Sequence, residues 1–151
     1  MNREILFRGK RVDNAEWVKG CLLIENPPLQ CFGENTELNK YLIGKSGFAD
    51  WSMPRPFTAA EVLSETVGQF TGLTDKVNAL GFEGDLCRWG DDLYVISYNN
   101  GGFTLKNSFE ELPIGVLQTT DNCGDSNITF ESKLRYCEIV GNIHDNLELL
   151  K

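Results

Sequence analysis

The chain predicts a mainly-β protein: an N-terminal hairpin or small sheet, then a small barrel or sandwich, with few short helical turns. Two observations carry this. Short apolar runs recur at about 66–70, 82–89, 92–98, 102–105, 115–119 and 134–141, either alternating or continuously apolar. Turn-forming clusters separate them: Gly72, Gly90-Asp91-Asp92, Asn99-Asn100-Gly101-Gly102 and Asp121-Asn122-Cys123-Gly124-Asp125. No internal repeat or low-complexity tract competes with this reading.

Near the N-terminus, residues 4–11 and 16–24 are rich in β-formers and flank Arg11-Val12-Asp13-Asn14-Ala15. They predict a β-hairpin, with Asn14 supplying a positive φ in the turn. Residues 25–57 read as irregular, broken by Asn26-Pro27-Pro28, because proline cannot donate to a strand ladder. Lys40-Tyr41-Leu42-Ile43 is a candidate short strand within them. Met53-Pro54-Arg55-Pro56 is a second break and divides the chain into 1–57 and 58–151. Thr58 to Glu61 has the form of a capping box, but Val62 and Val67 are poor helix formers; extended chain is preferred there over one helical turn. Asn100-Gly101 is the strongest hairpin signal in the chain. Asp145 to Leu150 predicts a C-terminal helical turn capped by Asp145 or Asn146.

A length of 151 residues with 41% apolar content can bury a real core. The net charge of −8 disfavours nucleic acid and anionic membrane surfaces as partners, since both are bound by clustered Lys and Arg. No apolar run approaches the ~20 residues of a membrane span, and the N-terminal residues read as strand, so neither a signal peptide nor an anchor is expected. The five cysteines, at 21, 31, 87, 123 and 137, form no C-x-x-C pair, and reduced thiols in a cytoplasm are expected. Cys21, Cys87 and Cys137 lie in apolar runs and read as small buried hydrophobes.

Catalytic signals are weak. His144 is the only histidine and sits beside a predicted cap, so a surface or capping role is favoured over a general base. Glu83 and Asp85 would share a strand face, the geometry of a carboxylate pair. Glu-Gly-Asp before an apolar strand is better read as a turn, in which Asp accepts backbone N–H groups. The expectation is no catalytic, cofactor-binding or metal-ligating residue, with Gly68, Gly72, Gly84 and Asp85 as structural turn residues. Trp17, Trp51 and Trp89, with Tyr94, Tyr98 and nine phenylalanines, could form a stacking platform for single-stranded nucleic acid, but at alternating positions in strands they read as core. Trp51 lies in a loop between prolines; Phe48, Trp51, Met53 and Phe57 are therefore the candidate interface.

Four segments, taken in order, resemble the YopX family of bacterial and prophage proteins. Phe7-Arg8-Gly9-Lys10-Arg11-Val12-Asp13-Asn14-Ala15-Glu16-Trp17-Val18-Lys19-Gly20 is similar to F-R-G-K-x-x-D-N-G-E-W-V-x-G. Glu65 to Lys76 is similar to E-T-V-G-Q-Y-T-G-L-x-D-K, and Phe82 to Leu86 to I-Y-E-G-D-I-V. Glu138 to Leu150 is similar to E-V-I-G-N-I-Y-D-N-P-E-L-L. The chain departs from the pattern at Ala15, where glycine is usual, at Ser64, where proline is common, and at Val77 to Gly81, which replaces a shorter polar link. Residues 25–57 have no aligned counterpart.

The resemblance implies a mainly-β fold whose C-terminal part is an SH3-type small barrel, a prophage origin and a cytoplasmic setting. It supplies no established activity, and so no catalytic residues. The leading expectation is a non-enzymatic binding or assembly module, a homo-oligomer with a possible protein partner of phage or host. One alternative is a nucleic-acid accessory protein using Arg3, Arg8, Lys10, Arg11 and Lys19. Another is a metal-dependent hydrolase using Glu83, Asp85 and Asp91.

Overall fold

The computed structural model describes residues 4–26, 39–47, 57–115, 117–119 and 129–150. The protein is mainly β, with antiparallel sheets and short 3-10 turns. It forms two compact units, Met1–Gln69 and Phe70–Lys151.

The first unit opens with the expected hairpin. Strand β1 (Phe7–Lys10) pairs with β2 (Trp17–Glu25) in the register Arg8↔Lys19 and Lys10↔Trp17. The connection differs in one respect. Ala15, not Asn14, takes the positive φ, at 59°. Ala15 N–H bonds back to the Arg11 carbonyl and Arg11 N–H to the Glu16 carbonyl, so the reversal falls at position 15. Asn14 contributes through its side chain instead, its Oδ1 accepting the Glu16 N–H at 3.0 Å.

The expected short strand at Lys40 is longer, β3 (Lys40–Ser46), and pairs with β2. Strand β4 (Phe57–Val62) pairs with β3 along its whole length. Residues 58–61 are therefore extended, and β4 belongs with the first unit although the Pro-Arg-Pro break groups residues 58 onward with the second. Gly20 is required by close approach: a side chain there would run into the Gly44 carbonyl.

This sheet curls. Arg11 forms a bridge with Val62, Val12 N–H bonds to the Glu61 carbonyl, and Leu63 N–H bonds to the Lys10 carbonyl. The end of β4 is thus brought against the end of β1, with Ile43 and Val62 buried inside the curl. A 3-10 turn over Ser64–Thr66 follows. There the buried Thr66 hydroxyl accepts the Lys10 N–H at 2.8 Å and donates to the Leu63 carbonyl at 2.7 Å.

Strand β5 (Gly68–Thr74) begins in the first unit, where Gly68 and Gln69 pair with Arg8 and Phe7. It continues in the second, where Phe70 pairs with Phe82 of β6 (Leu80–Phe82). Gly72, at φ 84°, lies where the β5–β6 register shifts.

The second unit is built on a five-stranded antiparallel sheet. Its strands are β7 (Asp85–Trp89), β8 (Asp92–Asn99), β9 (Gly102–Lys106), β10 (Glu111–Pro113) and β13 (Glu138–Asn142). Their order is β10-β9-β8-β7-β13, and no pairing among the described residues closes it into a barrel. Strands β11 (Leu117–Thr119) and β12 (Thr129–Glu131) form a separate pair.

Asn100-Gly101 connects β8 to β9 as expected. Both residues have positive φ, 50° and 82°, the requirement of a two-residue type I′ turn that matches strand twist. The core packs Cys87, Tyr94, Ile96, Leu105, Ile114, Leu134 and Cys137. Residues 133–136 form a 3-10 turn that inserts Leu134 and takes up the first three positions of the run expected as strand over 134–141. A further 3-10 turn, Leu147–Leu150, ends the described chain as the expected helical turn.

Candidate functional site

The two acids of the Gly/Asp-rich segments are buried and bonded to backbone. Asp85 Oδ2 accepts the Phe82 N–H at 2.8 Å across the tight turn Glu83-Gly84, with Gly84 at φ 83°. Asp75 Oδ1 accepts from Val77 and Ala79, at 2.9 and 2.8 Å, and Oδ2 from Ile139 at 3.0 Å. A carboxylate that receives several N–H groups offsets its desolvation and fixes the loop that supplies them. Gly68 is buried opposite Arg8.

Glu83 and Asp91 lie in the turns at opposite ends of β7, whose five residues span roughly 13 Å at the ~3.3 Å rise of a strand. The fold thus does not bring Glu83, Asp85 and Asp91 together, and no group of three His, Cys, Asp or Glu side chains is positioned to hold a metal among the described residues. His144 lies in the turn after β13, its backbone N–H donating to Asn142 Oδ1 at 2.9 Å.

Of the candidate interface, Phe48, Trp51 and Met53 lie outside the described residues. Phe57 opens β4 and is 58% exposed. The exposed apolar surface continues on β2 at Leu23 and Ile24, 42% and 51% exposed. These two are consecutive in an extended strand, so they face opposite sides of the sheet. Cys21 is exposed rather than buried, because it is opposed to Gly44, one position from Ile43, and so points to the sheet face away from the Ile43–Val62 core. Cys87 and Cys137 are buried as expected.

Among the basic residues, Arg3 lies outside the described residues. The β1–β2 register sets Arg8, Lys10, Trp17 and Lys19 on one face, since directly opposed residues share a face. The Arg8 guanidinium carbon lies 4.8 Å from the Trp17 ring centroid, and Lys10 Nζ lies 6.0 Å from it. Trp17, expected as core, is instead a half-buried aromatic covered by two cationic side chains. Trp89 and Tyr94, 6.2 Å apart by centroid, pack in or against the core as expected, whereas Tyr98 is exposed against Phe103.

Curling the first sheet opens a recess of about 230 Å³ lined by Arg11, Lys19, Lys45 and Thr58, with Val18, Ile43, Ala59 and Ala60 as its apolar floor. A contiguous recess of about 300 Å³ shares Arg11, Ala59 and Ala60 and carries Asp13 and Glu61. Arg11 Nε donates to Asp13 Oδ1 at 2.9 Å, and the guanidinium holds the Asp13 carboxyl below the usual range, chiefly through that hydrogen bonding. Sequence reading did not single out Lys45, and gave Thr58 only as the start of a capping-box pattern. Nothing local marks either as a binding residue, because positions 11, 19, 45 and 58 converge only through the curl.

The signature segments meet within each unit. Arg8 of the first segment pairs with Gly68 of the second, and Lys10 bonds Thr66. Lys76 of the second bonds the Cys137 carbonyl, and its ammonium reaches Glu138 of the fourth at 2.7 Å. Asp85 of the third pairs with Asn142 of the fourth, and Ile143 N–H bonds to the Gly84 carbonyl. The four segments are therefore the framework of the fold. No curated protein matches the chain. Compared with protein families, residues 7–151 match the family described as YopX protein, which spans nearly the whole chain. The chain belongs to the YopX family.

Proposed function

We propose that this protein is a non-enzymatic binding and assembly module of prophage origin, acting as a homo-oligomer in the bacterial cytoplasm. The observation that carries the reading is the exposed apolar surface of Leu23, Ile24 and Phe57, on both sides of the β2–β3–β4 sheet. A strand apolar on both faces gains by being covered, and another copy of the chain supplies a matching surface. Buried Asp75 and Asp85 support the same reading, since their carboxylates accept backbone N–H groups. The β7–β10 meander supports an SH3-type barrel for the second unit, a fold common in binding modules.

Sedimentation velocity on the full chain tests this. An oligomer that dissociates in Leu23→Asp or Ile24→Asp is expected. A monomeric wild type that also recovers no partner in a host-lysate pull-down would end the reading.

A second reading, a nucleic-acid accessory protein, is favoured by the Arg8–Trp17–Lys10 stack. A salt titration of binding to single-stranded DNA and RNA decides it; no binding at low salt removes it.

A further inference from the structure

We infer that the recess between the β1–β2 connection and β3–β4 is a binding site for a small phosphate-bearing ligand. Two cationic residues, Arg11 and Lys45, line this recess of about 230 Å³ with Thr58, Lys19 bordering it from the strand face that it shares with Trp17, and no carboxylate stands among its described lining residues. In a chain of net charge −8 that concentration of positive charge is local and directional.

The donors come from three segments: Arg11 just after β1, Lys45 of β3 and Thr58 of β4. Lys45 and Thr58 are directly opposed in the β3–β4 ladder, so their side chains share a face. Neither the Lys45 ammonium nor the Thr58 hydroxyl has a hydrogen-bond or ion-pair partner among the described residues. Arg11 gives Nε and Nη2 to Asp13 and keeps further N–H donors. The pairing with Asp13 also steadies the guanidinium at the rim. Donors converging from several directions suit a tetrahedral dianion better than a planar monoanion such as a carboxylate. Ala59 and Ala60 are small, which is why β4 leaves room here.

The neighbouring recess decides the size of the ligand. It carries Asp13 and Glu61 and shares Arg11, Ala59 and Ala60 with the cationic recess. A polyphosphate strand continuing past the site on that side would meet these two carboxylates. An isolated phosphate group, free or as a monoester with a hydroxyl or ammonium on that side, would not. The volume agrees: it lies below the range of about 300–1,000 Å³ for drug-sized ligands.

The test titrates the full-length, 15N-labelled protein with inorganic phosphate at low ionic strength, following backbone amides by NMR. Saturable shifts confined to residues around 11, 19, 45 and 58–60 are expected, and acetate at the same concentrations should produce none. Lys45→Gln and Thr58→Val are surface changes in a paired strand. Lys45→Gln should weaken phosphate about tenfold or more, the loss expected for one charge-assisted hydrogen bond, and Thr58→Val by a smaller factor. Shifts that fail to saturate, or that persist unchanged in both variants, overturn the site. Binding of a single-stranded oligonucleotide that phosphate does not displace, but that Lys45→Gln abolishes, overturns the small-ligand assignment in favour of nucleic acid.

Discussion

The Asp75 carboxylate accepts the backbone N–H of Ile139 at 3.0 Å, across 64 positions of sequence. Its other oxygen closes the Asp75–Ala79 loop through Val77 and Ala79. One side chain, 2% exposed, thus ties the β5–β6 connection to the start of β13.

Asp75→Ala should therefore be among the most damaging single changes in the second unit. It leaves three N–H groups without their acceptor, and a loss of about 3 kcal/mol or more is expected. Urea unfolding of wild type and variant measures it. A loss below about 0.5 kcal/mol, the scatter of ordinary surface changes, would refute the clasp.

Ala15 and Gly101 test one rule with opposite signs. Ala15 occupies φ 59°, where an L side chain costs roughly 1–2 kcal/mol, so Ala15→Gly should stabilise by about 1 kcal/mol. Gly101 occupies φ 82° with open space where a side chain would go, so Gly101→Ala should destabilise by a similar amount through backbone strain alone. Denaturant midpoints for the two variants should move in opposite directions. Movement in the same direction contradicts the turn assignments.

Tyr94 donates its hydroxyl to Glu110 Oε1 at 2.7 Å. That hydrogen bond, then burial, pushes its pKa up to about 12 from 10.0. The folded state therefore holds the phenol proton more tightly than the unfolded state. The associated stability is complete below pH 10 and is lost as pH rises through about 12. An ultraviolet titration should find one of the four tyrosines ionising late, and Tyr94→Phe should remove that step. A wild type whose tyrosines all titrate near 10 excludes the Tyr94–Glu110 bond.

Thiol reactivity should follow burial. Cys21 is exposed, whereas Cys87 and Cys137 are fully buried, with the Cys137 thiol donating to the Lys133 carbonyl at 3.3 Å. The interaction with Cys137, then burial, pushes the Cys87 thiol up, away from the reactive thiolate. With Cys31 and Cys123 replaced by serine, one thiol should react quickly with a disulfide reagent, and two more only on unfolding. Rapid labelling of all three in the folded protein would contradict the packing.

What was legible in the chain followed from local chemistry. Asn100-Gly101 announces its turn because few residue pairs accept two successive positive φ values. The β1–β2 hairpin is readable from two β-rich runs around a polar link, and the acid of Glu83-Gly84-Asp85 from its place before an apolar strand. The position of the first turn's left-handed residue was not readable: Asn14 is the better αL former, yet the backbone bonds from Ala15 and Arg11 fix the reversal one residue later.

By itself the sequence determined the class of fold, the family and most turns, because strand period and turn residues act over a few positions. The tertiary structure alone decided that Cys21 is exposed, that Asp75 clasps Ile139, and that Arg11, Lys19, Lys45 and Thr58 share one recess. Each of these depends on which distant strands meet and how far the sheet curls. A bridge such as Arg11↔Val62 leaves no mark on the residues near either end of it.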